Sequence, residues 1–385
     1  MSKSTPSFVQ PFLYALNRMQ ENESLRPAQY TERARALLVD RLGASGPLPE
    51  AAFSNGSVGL LADHTHYFDG FAMMLQLRQG IAVAVRHTTE TSTRIVFDGA
   101  GTWSDDLPHR LATSIFGDKR VDMAVVSALP PGLGVARQVS LTVAMLRVRD
   151  IMAGQPRGEM ELSAEARTVL ADALGVHVSR VFATGATLTA DGPFVLADAS
   201  NGKYMPLEVA SNQRPGFALV TMGENGPTDA RGMEKRREMV QKATLELEKV
   251  AFPNLESLRN LEHRDLDKAL EAVSRKYRPV VRHVVSANRN VQKLAVAIRK
   301  SDWQFFGALL KISQASIMQD WSTGRPEFGP ALEQAERLSL EGIYGVVQTG
   351  ELGVLLVVGQ PFSIPAYIDA LREAHTNGDI KAFIV

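Results

Sequence analysis

The sequence contains no cysteine in 385 residues, which excludes disulfides, thiolate nucleophiles and any metal site built on sulfur. It also lacks net charge. With 42 Lys and Arg against 42 Asp and Glu, no long-range field draws in nucleic acid or an anionic membrane, and neither is expected as a partner. Long apolar runs are missing as well. The longest uncharged stretch, Leu352 to Ile368, is short for a membrane span and holds Pro361 and Pro365, so it reads as a buried strand followed by a turn. Near the N-terminus Phe8, Phe12, Leu13, Leu16 and Met19 fall at helical spacing. Gln10 and Pro11 interrupt any signal-type apolar core there, so no secretion signal is expected and the cytoplasm is the default compartment.

What is present is ordinary globular composition, 45% hydrophobic and 22% charged, in a chain too long for one core. Single cores stop growing near ~250 to 300 residues, so two domains with a cleft between them are expected. Alternating patterns at Ile81 to Arg86 and Arg94 to Phe97, separated by a Thr-rich segment, predict hairpin-like β structure. Pro130, Pro131, Gly132 and Gly134 form a turn ahead of an apolar-periodic helix over Ser140 to Met152, and a glycine turn opening a helix is an anion-binding geometry. Strands are expected at Phe194 to Ala199 and Phe217 to Met222, with a polar, Pro- and Gly-bearing segment between them that puts the boundary near Asn212. The domains are thus 1–212 and 213–385. In the second, helical periodicity covers Ala230 to Val250, Arg264 to Ala272, Arg278 to Lys300, Trp303 to Ile317 and Phe328 to Glu341, closed by apolar runs at Gly345 to Val347 and Val354 to Val358.

The segment Ser57 to Val85 resembles the galactokinase signature, an arginine-led strand running into Gly-Glu-His-Thr-Asp-Tyr-Asn-x-Gly and then an apolar strand. His64, Thr65, Tyr67 and Gly70 match it. Ser57 stands in the arginine position, Asp63 in that of the glutamate and His66 in that of the aspartate. Pro130 to Ala144 is similar to the family's second motif, and Arg282 to Gly350 to the helical stretch and third motif, in the same order. The resemblance implies the α+β, two-domain architecture of the GHMP sugar-kinase family, with the ligand cleft between the domains. It also implies ATP and magnesium as cofactors if kinase activity is retained.

Phosphoryl transfer needs dipoles or cations around the phosphates, a divalent metal and a group that takes the acceptor proton. Against the family pattern, Ala136, Arg137 and Gln138 replace the phosphate-loop serines and Thr142 replaces an acidic metal contact. No Asp or Glu occurs between Ala173 and Ala190, where the resemblance places the catalytic aspartate, and Glu351 puts a carboxylate where phosphate would approach. Gly132, Gly134, Arg137 and Gln138 therefore form a degenerate nucleotide loop. His177 and Asp191 are the candidates for a base. The sugar side is less eroded: Asp63, His64, His66 and Tyr67 are the candidate sugar-binding residues, although Met233 stands where the family often has a sugar-facing tyrosine, ahead of Arg236 and Arg237.

Simpler readings stand beside these. Asp63, His64 and His66 can merely brace a turn, Gly132 and Gly134 can be only a tight turn, and the Arg282, Arg289, Lys293, Arg299 and Lys300 stripe can be a solvated face. His64 and His66 lack a third ligand, so no metal site is expected. The leading expectation is a galactokinase-like protein without phosphotransfer that binds a sugar-like metabolite, a small polyol or a protein partner. The alternatives are a divergent ATP-dependent sugar or cyclitol kinase and metal-assisted hydrolysis around His64 and His66.

Overall fold

A computed structural model describes residues 26–61, 68–99, 103, 106–188, 194–222, 230–349, 353–375 and 380–385. The Phe8 to Met19 pattern, Asp63, His64, His66, Tyr67, Asp191 and Glu351, and the side chain of Met233, lie outside the described residues. Among the described residues the first half forms β1 (Glu50–Gly59), β2 (Phe71–His87), β3 (Arg94–Gly99), β4 (Val121–Ser127), β5 (Phe194–Asp198) and β6 (Tyr204–Leu207). These strands make one sheet in the order β3-β4-β2-β5-β6, with β1 on β2. The long β2 organises it. Residues 74 to 85 pair with β1 along one edge, while the other edge takes β4 at one end of β2 and β5 at the other.

The expected hairpin does not form: β3 pairs parallel to β4, which lies between it and β2. The physical reason is burial. Every residue of β4 is buried and needs a neighbour on both sides, whereas β3 is half exposed and suits an edge. Helix α1 (Pro27–Leu42) covers one face of this sheet through Tyr30, Ala34 and Leu38. Following α2 (Leu107–Phe116), the helix α3 (Val135–Ala153) covers the other face and is flanked by α4 (Glu159–Leu174) and α5 (Arg180–Thr187). Enclosure by sheet and helices explains why α3 is buried around most of its circumference. It begins at Val135, ahead of the expected Ser140, because the glycine turn runs directly into it.

The second sheet, β10-β7-β9-β8, comprises β7 (Gly216–Met222), β8 (Ile343–Thr349), β9 (Val354–Gly359) and β10 (Ile380–Ile384). Alternation assigns its faces. Leu219, Leu356 and Val358 join the core shared with the first sheet, whereas Ala218, Val220, Leu355 and Val357 pack under α10 (Gly329–Arg337) and α11 (Ser363–Ala374). The remaining helices are α6 (Ala230–Val250), α7 (Leu266–Ala272), α8 (Arg278–Lys300) and α9 (Trp303–Ser316). Phe194 of the first sheet meets Trp303 and Phe306 of α9 as ring pairs, so those aromatics are core. Beyond β9 the chain makes a brief turn and then α11, with Pro365 in its first helical turn, where a missing N–H costs nothing. Among the described residues no helix is long and apolar enough to cross a membrane.

Candidate functional site

Ser57 is 1% exposed on β1 and lies directly under α5. A Cβ added to Gly185 would sit 2.6 Å from Ser57 Oγ, so helix and strand touch there without a gap. A side chain the length of arginine at position 57 has no room unless α5 moves. Arg147 of α3 fastens the same contact, donating to Phe53 O at 2.6 Å and Thr187 O at 2.7 Å.

Helix α5 occupies the stretch that lacks carboxylates. Ser179 caps it by accepting from the Val181 N–H, and His177 precedes the cap. Burial pushes the His177 pKa below its ordinary value, Arg237 and Arg167 push it further, and Asp69 and Glu234 oppose them. Neutral imidazole, able to accept a proton, is thus its form at neutral pH. The charges that act on it come from α6 (Arg237, Glu234), from α4 (Arg167) and from Asp69.

The chain leaving that segment is held from the second half of the molecule. Ser257 Oγ donates to Phe68 O at 3.1 Å, Asn288 Oδ1 accepts from the Phe71 N–H at 2.9 Å, and Arg259 donates to Asp69 O. Asp69 itself has φ 60°, a left-handed conformation unusual for a residue with a side chain. Arg259 also grips both carboxylate oxygens of Asp198, at 2.7 and 3.1 Å, at the end of β5. Burial raises the Asp198 pKa, but hydrogen bonds from Arg259 and Ser200 outweigh this and hold it at about 2. No periodicity or motif marks Ser257, Arg259 or Asn288 in the sequence, and they were missed there.

At the glycine turn, Pro131 to Leu133 form a short 3₁₀ turn and Gly134, at φ 54° and ψ −125°, leads into α3 in a conformation reserved for glycine. Val135, Ala136 and Arg137 fill the first helical turn, and all are buried. The Arg137 guanidinium stacks 4.0 Å from the centroid of the Trp103 ring. A cation at this end of a helix opposes the macrodipole, and packing on the indole helps to offset that. Gln138 donates its N–H to Gly134 O, and Thr142 spends its hydroxyl on Gln138 O at 2.9 Å. Neither the turn nor the first helical turn offers a carboxylate, and among the described residues no three His, Asp or Glu side chains are grouped to hold a metal.

Thr349 at the end of β8 donates through Oγ1 to Gly59 O at 2.7 Å, joining the ends of β8 and β1. A further polar cluster lies beneath α6. His283 Nδ1 is 2.9 Å from Ser316 Oγ, Ser316 donates to Asp320 at 3.2 Å, and the imidazole stacks on Trp321 with centroids 4.8 Å apart. A Ser316 proton given to Asp320 makes His283 Nδ1 the donor to Ser316 Oγ. Burial is the main force on this histidine, lowering its pKa to about 4 against the opposing charge of Asp320.

No family model matches the chain. It is nevertheless 23% identical to a galactokinase of Streptomyces coelicolor over 369 residues, spanning 88% of this chain and 92% of that protein. It is 24% identical to the Homo sapiens galactokinase over 367 residues, 85% and 88% of the two chains. Among solved structures, Lactococcus lactis galactokinase complexed with galactose superposes with a TM-score of 0.76 at 17% identity, covering 93% of this chain and 97% of that one. The Methanococcus jannaschii mevalonate kinase gives a TM-score of 0.58 at 11% identity, covering 88% and 98%. The α+β fold is thus that of the GHMP kinases. In sequence the chain is similar to galactokinases along most of its length.

Proposed function

We propose that this is a galactokinase-like protein that binds a sugar-like ligand in the cleft and does not transfer phosphate. The observation that carries the reading is the packing at Ser57. There α5, without a carboxylate, presses on β1 and fills the space where the resemblance puts an arginine and aspartate pair. Arg137, folded onto Trp103 at the opening of α3, supports it from the nucleotide side. Asp63, His64, His66 and Tyr67 are the proposed sugar contacts, lobes 1–212 and 213–385 the proposed walls of the cleft, and the cytoplasm the proposed location. A protein partner in place of the sugar is compatible with the same scaffold.

One observation favours a second reading. His177, whose lowered pKa keeps its ring neutral at pH 7, supports a role as the base of a divergent sugar or cyclitol kinase. Purified protein assayed for ADP release with ATP, magnesium and a panel of monosaccharides and cyclitols separates the two. Sugar-dependent ADP release that disappears in His177→Gln overturns the first reading, whereas sugar binding without turnover overturns the second.

A further inference from the structure

A cavity of about 190 Å³ lies between α4, α5 and the turn joining β5 to β6. It exceeds the ~150 Å³ hole that holds a benzene ring, so one six-membered ring with a substituent fits. Arg167 on α4 and Arg180 on α5 both line it. Arg180 donates to Ser200 O at 3.1 Å and keeps its other N–H groups for another partner. Arg167 has neither a hydrogen bond nor an ion pair among the described residues. The carboxylate in the lining, Glu159, already accepts from the Tyr204 hydroxyl at 3.2 Å. Met160, Ala164 and the Tyr204 ring supply apolar wall, and Ser163 and Thr184 supply hydroxyls.

Two guanidinium forks facing one engaged carboxylate favour an anion, and an apolar wall beside them favours a compact organic body over a bare inorganic ion. We propose that this cavity binds a small organic anion, a single ring carrying a phosphate or a carboxylate. The site goes beyond the cleft reading and does not depend on it.

Calorimetric titration of the full chain with glucose 6-phosphate, with benzoate and with neutral glucose tests the proposal. At least one anion should bind, and which one does identifies the phosphate or the carboxylate as the anchor. Arg167→Ala should weaken that binding by about tenfold or more, the scale of one charge-assisted contact. Ala164→Phe, an exposed position whose new ring would fill the cavity, should abolish it. Glucose binding in the cleft, if present, should be the same in both variants. An unchanged melting temperature verifies that each protein is folded. Failure of both anions to bind at ~10 mM, or binding that both variants leave intact, overturns the proposal.

Discussion

Lowering the pH should expose the cost of burying His283 as a neutral ring. Its pKa is about 4 in the fold against an ordinary 6.5. Above pH 6.5 both folded and unfolded chains carry neutral imidazole and the stabilisation is fully present. Below that, the unfolded chain takes up a proton first, so stability is lost as pH falls until the folded histidine itself protonates near pH 4. The gap of about 2.5 pH units is worth about 3 kcal/mol in total, of which about 2 to 2.5 kcal/mol should be gone by pH ~4.5. The comparison protein is His283→Phe, which keeps a ring against Trp321 and leaves Ser316 bonded to Asp320. Urea unfolding of both proteins at pH ~7, ~5.5 and ~4.5 gives a stability difference in which the other titrating groups largely cancel. Wild type should lose about 2 kcal/mol relative to the variant across that range. A difference constant within ~0.5 kcal/mol would show that His283 is not held neutral by its surroundings, and the reasoning would fail.

Other expectations can be checked on the same protein. Gly185→Ala should cost about 1 to 3 kcal/mol in denaturant unfolding, and adding Ser57→Gly should recover much of it. Strict additivity in that double-mutant cycle would contradict the close packing of α5 on β1. Asp198→Asn should cost about 1 kcal/mol after solvent screening, with the wild-type advantage constant above pH ~4 and lost as pH falls towards about 2. Equal acid unfolding profiles for the two proteins would remove the Arg259 pair from the account. Millimolar ATP with magnesium should leave the melting temperature unchanged, whereas a rise of several degrees would mean that Arg137 yields to nucleotide.

Strongly amphipathic elements were legible from the residues alone. Helices α6 and α8 run as periodicity predicted, because one apolar face over five or more turns leaves few alternatives. Strand partnership was not legible: β2 and β3 look like hairpin arms until β4, about 25 residues further on, intervenes by virtue of being buried throughout. The loss of carboxylates before β5 was plain in the sequence, but what fills their place was not. That depended on the absence of a Cβ at Gly185, a contact between positions with no local pattern. The indole beneath Arg137 was equally hidden, since Trp103 lies far back in the chain in an unpatterned stretch.

The bonds from Ser257, Arg259 and Asn288 to the backbone of Phe68, Asp69 and Phe71 span 189, 190 and 217 residues. A ribosome making this chain delivers Phe68 to Phe71 long before the side chains that hold them, since synthesis proceeds at ~5 to 20 residues per second. For tens of seconds on that scale the first sheet can pair while Phe68 to Phe71 lack their anchors. Phe68 to Phe71 therefore gain these anchors only after the second half of the chain has been made, although they are encoded near the front.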